Sequence, residues 1–122
     1  MTPLNILVVE DDIMIGMLLS DMLTGLGHSV CAVERTEAGA VAAAARFQPD
    51  LMIVDIHLKV GNGISAVEAV LRDRFVPHIF VTGDRYGTQQ RAPGDIVIEK
   101  PFRERDLLDA IERAIIGQQE MP

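Results

Sequence analysis

Apolar residues occur along this chain in two patterns, short continuous runs and longer stretches with helical spacing. Leu4-Asn5-Ile6-Leu7-Val8-Val9, Leu51-Met52-Ile53-Val54, His78-Ile79-Phe80-Val81 and Ile96-Val97-Ile98 are compact and rich in β-branched residues. Runs of this kind, bounded by turn residues, predict strands buried on both faces. Ser29 to Val33 is less apolar and predicts a strand at a sheet edge. Between the runs the period changes. From Asp12 to about Thr24, Met14, Ile15, Leu18, Leu19, Met22 and Leu26 share one arc of a 3.6-residue wheel, which predicts a helix buried along that arc. Gly16, Ser20 and Thr24 lie opposite, with Ile13 and Met17 among them, and Gly25 and Gly27 end the helix. Thr36 to Phe47 is an alanine-rich helix stopped by Pro49. Further helices are predicted from about Gly63 to Arg74, with Val67, Val70 and Leu71 inward, and from about Arg103 to Gly117, with Leu107, Leu108, Ile111 and Ile115 inward. Asp84 to Asp95 is polar and contains Gly87, Pro93 and Gly94, so the fourth helix is expected to be short or irregular.

Strands that alternate with helices imply a parallel sheet covered on both faces. Right-handed crossovers leave few topologies. The prediction is a doubly wound α/β fold, a five-stranded parallel sheet in the flavodoxin-like order 2-1-3-4-5, as a single domain over residues 1–122. The chain runs out with its last helix, so no output domain is expected.

Composition narrows the function. With 48% apolar residues the chain can bury an ordinary core, and a net charge of -7 argues against a nucleic-acid surface. The single cysteine, Cys31, excludes an internal disulfide and reads as a small buried side chain. No signal segment or membrane-length apolar run is present, so a cytoplasmic, non-membrane location is expected.

The chemistry gathers at the carboxyl ends of the strands, where open α/β sheets place their sites. Asp55 ends one strand, Glu10-Asp11-Asp12 follows another, Thr82-Gly83 a third and Glu99-Lys100-Pro101 a fourth. The predicted strand order sets Asp11, Asp12 and Asp55 side by side, with Thr82 and Lys100 on neighbouring tips. Asp11 or Asp12 can also cap the first helix. Clustered carboxylates repel one another unless a cation intervenes. An all-oxygen site selects a hard cation, and Mg²⁺ fits best because it takes one or two carboxylates and binds phosphate oxygens. A divalent ion together with Lys100 balances the charge of the three aspartates. A carboxylate so placed can serve as a nucleophile toward phosphorus. Lys100 and the Thr82 hydroxyl can receive the phosphoryl oxygens, and the His57 backbone carbonyl can face the metal. His28, His57 and His78 lack zinc-ligand spacing. Pro101 allows a cis bond that aims Lys100 inward.

Glu10-Asp11-Asp12, Asp55, Thr82 and Lys100-Pro101-Phe102, in that order and over the whole chain, resemble the receiver domain of bacterial two-component response regulators. Pro77-His78-Ile79-Phe80-Val81-Thr82-Gly83 is similar to a subfamily whose fourth strand reads Pro-Phe-x-Phe-Ala-Thr-Gly, differing at His78 and Val81. The resemblance implies that Asp55 is a phosphoacceptor, that Asp11 and Asp12 hold Mg²⁺, that Lys100 contacts the phosphoryl group and that Thr82 moves toward it. It implies a histidine kinase or histidine phosphotransfer protein as donor, action through protein contact, and no catalysis beyond the domain's own phosphorylation and dephosphorylation. Ile13, Gly16, Met17 and Ser20, with Pro101 and Phe102, are expected to form the partner surface. Val97 stands where most receivers carry an aromatic ring, so the switch is expected to lie in reordering of Asp84 to Asp95. A Mg²⁺-dependent phosphohydrolase would need a second acid where His57 stands. A flavodoxin would need a phosphate loop where this chain is acidic. An unphosphorylated binding module would have no use for the intact acidic cluster and Lys100.

Overall fold

The computed structural model describes residues 2–83 and 94–120. Its elements, in chain order, are β1 (Asn5–Val9), α1 (Ile13–Gly25), β2 (Ser29–Glu34), α2 (Glu37–Phe47), β3 (Leu51–Asp55), α3 (Gly63–Asp73), β4 (His78–Thr82), β5 (Ile96–Glu99) and α4 (Glu104–Glu120). All neighbouring strands are parallel and the order is β2-β1-β3-β4-β5, as the alternating pattern predicts. The expectations of a short or irregular fourth helix and of a reordering segment fall, for residues 84–93, outside the described residues.

Strand alternation divides the core into two layers. Ile6, Val8, Leu51, Ile53, Ile79 and Val81 point to one face, where Leu19 and Leu23 of α1 and Leu107, Ala110 and Ile111 of α4 cover them. Leu7, Val9, Met52, Val54 and Phe80 point to the other, under Ala40, Ala43 and Ala44 of α2 and Ala66, Val67 and Val70 of α3. The central strands are buried along their length, whereas β2 is half open, as an edge should be. Cys31, on that edge strand, is half-buried rather than fully enclosed. Val97 lies partly buried against the second layer.

Each helix start has a chemical reason. The carboxylate of Asp12 accepts from Met14 N and Ile15 N, the hydroxyl of Thr36 from Gly39 N, and the amide oxygen of Asn62 from Ile64 N and Ser65 N. Asp106 reaches back to Arg103 N at 2.9 Å to open α4. Gly27 leaves α1 at φ 95°, and Gln48 ends α2 in the left-handed region at φ 47°.

The rotation of α1 differs from the wheel's prediction. Met14 and Leu18, expected inward, are 79% and 51% exposed, while Gly16 and Leu23 are buried with Leu19. The wheel set Met14 and Leu18 on the core arc and left Leu23 off it. The helix instead sits on the β1–β2 side through its small residue: a Cβ on Gly16 would lie 3.1 Å from Val33 Cγ1. Close approach at Gly16 turns the helix and pushes Met14 and Leu18 outward. Among the described residues no helix is long and apolar enough to cross a membrane.

Candidate functional site

The strand order reverses between β1 and β3, and the crevice beyond their carboxyl ends holds the acidic residues. β1 continues one residue past its last core position, because Glu10 N donates to Glu34 O at 2.9 Å. That bond fixes the Glu10 side chain at the strand tip, where it is 1% exposed. Asp55 ends β3 and is 6% exposed. Oxygens of Glu10, Asp11 and Asp55 lie within 4.8 Å of one another. Asp12, placed in this cluster by the sequence, instead spends its carboxylate on the α1 cap, with Oδ1 accepting from Met14 N at 2.9 Å. Glu10 takes its place. The signal for this was present: a residue that caps a helix faces the helix, whereas the residue directly after a buried strand stays on the tip.

Lys100 closes the cluster. Its Nζ stands 2.9 Å from Asp55 Oδ2 and 2.8 Å from Glu10 Oε1. The first contact is an aligned hydrogen bond; the second is a charge contact without that alignment. The lysine leaves β5 beside Thr82, since Lys100 N donates to Thr82 O at 2.8 Å. The Lys100–Pro101 peptide is cis. Thr82 is fully buried at the end of β4.

The turn after Asp55 is tied down at several points. Asp55 Oδ1 accepts from His57 N at 3.1 Å, and the His57 side chain is exposed. Lys59 N donates to Asp11 Oδ2 at 2.8 Å, which joins the turn to the β1 tip. Asn62 N donates to Glu37 Oε1 at 2.9 Å, and Glu37 N donates to Val60 O at 3.2 Å. Gly63 N returns to Ile56 O at 2.9 Å. A side chain at Gly63 would run into the carbonyl of Asp55, so only glycine lets α3 start this close to the site.

The electrostatics follow from the packing. Burial pushes the Glu10 carboxyl up to about 7, and the nearby Asp55 raises it too, against the opposing pull of Lys100 and of the Asp12 backbone N–H. For Asp11, burial works upward as well, but the Lys59 backbone N–H and the neighbouring Glu10 prevail and lower its pKa. Burial alone would depress Lys100; its close pairing with the carboxylates of Glu10 and Asp55 outweighs that and raises its pKa. The residues fit a divalent cation. They offer clustered carboxylate oxygens, one of them on a buried glutamate whose carboxyl burial pushes up to about 7.

Of the other expected positions, Ile13 and Met17 are 57% and 62% exposed beside this site, Pro101 is exposed and Ser20 is half-buried. Phe102 packs partly against the α1–α4 core layer. Gly16 is buried under Val33 and contributes no contact surface, which corrects its assignment to a partner face.

The sequence profile of the response regulator receiver domain matches residues 6–112. The chain is 37% identical over 119 residues to the phyllosphere-induced regulator PhyR of Methylorubrum extorquens, covering 94% of this chain and 45% of that protein. It is 30% identical over 117 residues to the transcriptional regulatory protein PdtaR of Mycobacterium tuberculosis, covering 93% of this chain and 57% of the relative. The chain thus spans about half the length of these curated relatives. The solution structure of the Erythrobacter litoralis PhyR response regulator REC domain superposes with a TM-score of 0.87 at 34% identity, over 98% of this chain and 95% of that one. The anti-anti-sigma factor PhyR of Bartonella quintana superposes with a TM-score of 0.87 at 29% identity, over 98% of this chain and 50% of that one. A profile match across most of the chain, on this sheet order, settles the family: the chain belongs to the receiver domains of response regulators.

Proposed function

We propose that the protein accepts a phosphoryl group on Asp55 from a histidine kinase or a histidine phosphotransfer protein, with Mg²⁺ in the acidic crevice. The observation that carries this reading is the setting of Asp55: a nearly buried carboxylate at a strand tip, grouped with Glu10 and Asp11 and 2.9 Å from the Lys100 ammonium. Mg²⁺, when bound, would supply charge neutralisation for the carboxylates and for the incoming phosphoryl oxygens. Glu10, Asp11 and Asp55 would hold it, with the His57 carbonyl as a further oxygen donor.

The chain's own groups do the positioning, which is most of phosphoryl-transfer catalysis. His57 N–H holds Asp55 Oδ1 and orients the carboxylate. An Asp55 oxygen forms the new bond to phosphorus as the bond to the donor histidine nitrogen breaks, and that nitrogen keeps the electron pair. Lys100, freed from its paired carboxylates, follows the charge to a phosphoryl oxygen, and Thr82 donates its hydroxyl to another. The domain then acts through protein contact. The exposed His57 leaves no second acid where a phosphohydrolase of this chemistry would use one.

Mass spectrometry after acetyl phosphate and Mg²⁺ tests the proposal. Wild type should gain one phosphoryl adduct of about 80 Da on Asp55, and Asp55→Asn none. An adduct of equal yield in Asp55→Asn removes Asp55 as the acceptor.

The donor must cross the rim beside α1. Ile13→Glu combined with Met17→Lys should slow transfer from a cognate kinase by about tenfold or more, since truncated interface anchors commonly cost over 1 kcal/mol. Acetyl phosphate labelling should stay at the wild-type rate. Equal loss with both donors would place the damage in the site itself.

A further inference from the structure

At the end of the sheet opposite Asp55 lies a cavity with no part in the phosphoryl chemistry. Its volume is about 630 Å³, within the range of small-ligand sites. The amino ends of three adjacent strands build one wall: Leu4 precedes β1, Asp50 precedes β3 and Pro77 precedes β4. Arg74 and Phe75, which follow α3, and one face of α4 complete it.

The lining is apolar and open. Phe75 and Ile116 are large and apolar, yet 46% and 52% exposed, and Ile115 is half-buried beside them. The walls are tied down by hydrogen bonds. Arg74 Nη2 donates to Pro49 O at 3.0 Å, Asp50 Oδ2 accepts from Asn5 N at 2.8 Å, and Met52 N donates to Pro77 O at 2.9 Å. The cavity is therefore formed before anything enters it, as ligand sites usually are.

Three charges face this space, the cation Arg74 and the anions Asp50 and Glu112. All are exposed, and none is ion-paired among the described residues. Opposite charges thus line one cavity without meeting across it. One Asp50 oxygen is committed to Asn5 N, whereas the Glu112 carboxylate has no hydrogen bond among the described residues.

We infer that the cavity binds a short apolar peptide with both termini free, its carboxylate on Arg74, its ammonium on Glu112 and its side chains against Phe75, Ile115 and Ile116. A guanidinium can hold a carboxylate through two parallel N–H···O bonds, and Arg74 keeps donors beyond the one given to Pro49 O. Glu112 accepts from the ammonium, and Asp50 adds negative charge nearby. A purely anionic amphiphile would meet two carboxylates, and a purely cationic one would leave Arg74 unanswered. A zwitterion answers both signs. Two or three extended residues span about 7 to 10 Å, which separates the terminal charges and leaves apolar side chains for the lining. The inference goes beyond the phosphoacceptor reading of Asp55 and does not depend on it.

The test uses the full chain and the dipeptide L-leucyl-L-phenylalanine as probe, followed by amide proton–nitrogen NMR spectra. Titration should saturate with a Kd of about 1 mM or tighter. The amides of Leu4, Asp50, Phe75 and Ile115 should shift, while those of Asp55 and Lys100 stay in place. The N-acetylated and the C-amidated forms of the dipeptide each lack one charge, and each should bind about fivefold more weakly or worse. Arg74→Gln should weaken the parent dipeptide by about the same factor and make binding indifferent to C-amidation. Glu112→Gln should make it indifferent to N-acetylation. That matching of variant to analogue is a coupling that general damage to the fold would not produce. Absence of saturable shifts overturns the proposal, as do shifts centred away from this cavity. Equal binding of the three forms to wild type, a comparison that needs no variant, overturns it as well.

Discussion

Glu10→Gln is expected to weaken Mg²⁺ binding by about tenfold to a hundredfold, a loss typical when the support of a metal site is removed. Asp12→Ala is expected to leave Mg²⁺ binding and acetyl phosphate labelling in place. It should instead cost about 1 kcal/mol of stability through the lost helix cap. The motive is geometric: Glu10 lies in the cluster with Asp11 and Asp55, and Asp12 bonds to Met14 N and Ile15 N. Titration calorimetry of the two variants decides, and loss of Mg²⁺ binding in Asp12→Ala with binding kept in Glu10→Gln would reverse the assignment. A pH dependence accompanies this. The Glu10 pKa in the folded chain is about 7 against an ordinary 4.5, so between these values the folded state holds a proton that the unfolded state releases. Without metal, this group therefore makes the fold more stable as pH falls from above 7 toward 4.5, and less stable as pH rises again. His28, whose pKa burial lowers, works in the opposite direction below its ordinary 6.5. The comparison must therefore be wild type against Glu10→Gln, whose difference isolates the carboxyl. With saturating Mg²⁺ the difference should change sign at neutral pH, because the metal then favours the ionised form. A wild-type profile parallel to that of Glu10→Gln, without metal, would remove Glu10 as a titrating group.

Gly63→Ala is expected to damage stability and function together. The added Cβ would collide with backbone atoms of Asp55 and crowd Val54, and neither lies at the end of a flexible side chain. Overpacking against such neighbours costs about 3 kcal/mol, or roughly 10 °C in Tm for a domain of this size. The turn that carries Asp55 and His57 must shift, and misplacement by about 1 Å can cost a hundredfold in rate. Gly25→Ala is the control. Nothing lies within 4 Å of its new Cβ, and it should be neutral or mildly stabilising in the last turn of α1. Thermal unfolding and acetyl phosphate labelling of both variants read the outcome. A Gly63→Ala protein with wild-type Tm and labelling would show that α3 can retreat freely from the site.

Most of the fold could be read from the chain because its signals are local. The strand runs around Ile6, Ile53 and Ile79 are too apolar for anything but a covered sheet, and Thr36, Asn62 and Gly27 mark helix ends by their own chemistry. Asp55, Thr82 and Lys100 were legible for the same reason, as polar residues placed at the ends of apolar runs. What the sequence misjudged depended on partners distant along the chain. The rotation of α1 is set by Val33 against Gly16, and no wheel drawn on one helix contains a strand. The roles of Glu10 and Asp12 were exchanged because three adjacent acids look alike until one commits its carboxylate to a helix and another to a strand tip. The bonds from Glu37 to Val60 and Asn62 carried no sequence signal, since a glutamate in the first turn of a helix is ordinary by itself.

Those bonds make the connection between β2 and α2 a tether of fixed length. Arg35 is the sole residue between the end of β2 at Glu34 and the cap at Thr36, and Thr36 bridges to Val60 in the turn after Asp55. Slack introduced here would be passed straight to that turn, because Glu37 would no longer meet Val60 and Asn62 in register. A glycine inserted after Arg35 should therefore slow labelling of Asp55 although it lies on an edge connection. The same insertion after Gly27, in the turn between α1 and β2, should leave labelling of Asp55 unchanged, since no residue of the phosphoacceptor loop is anchored there.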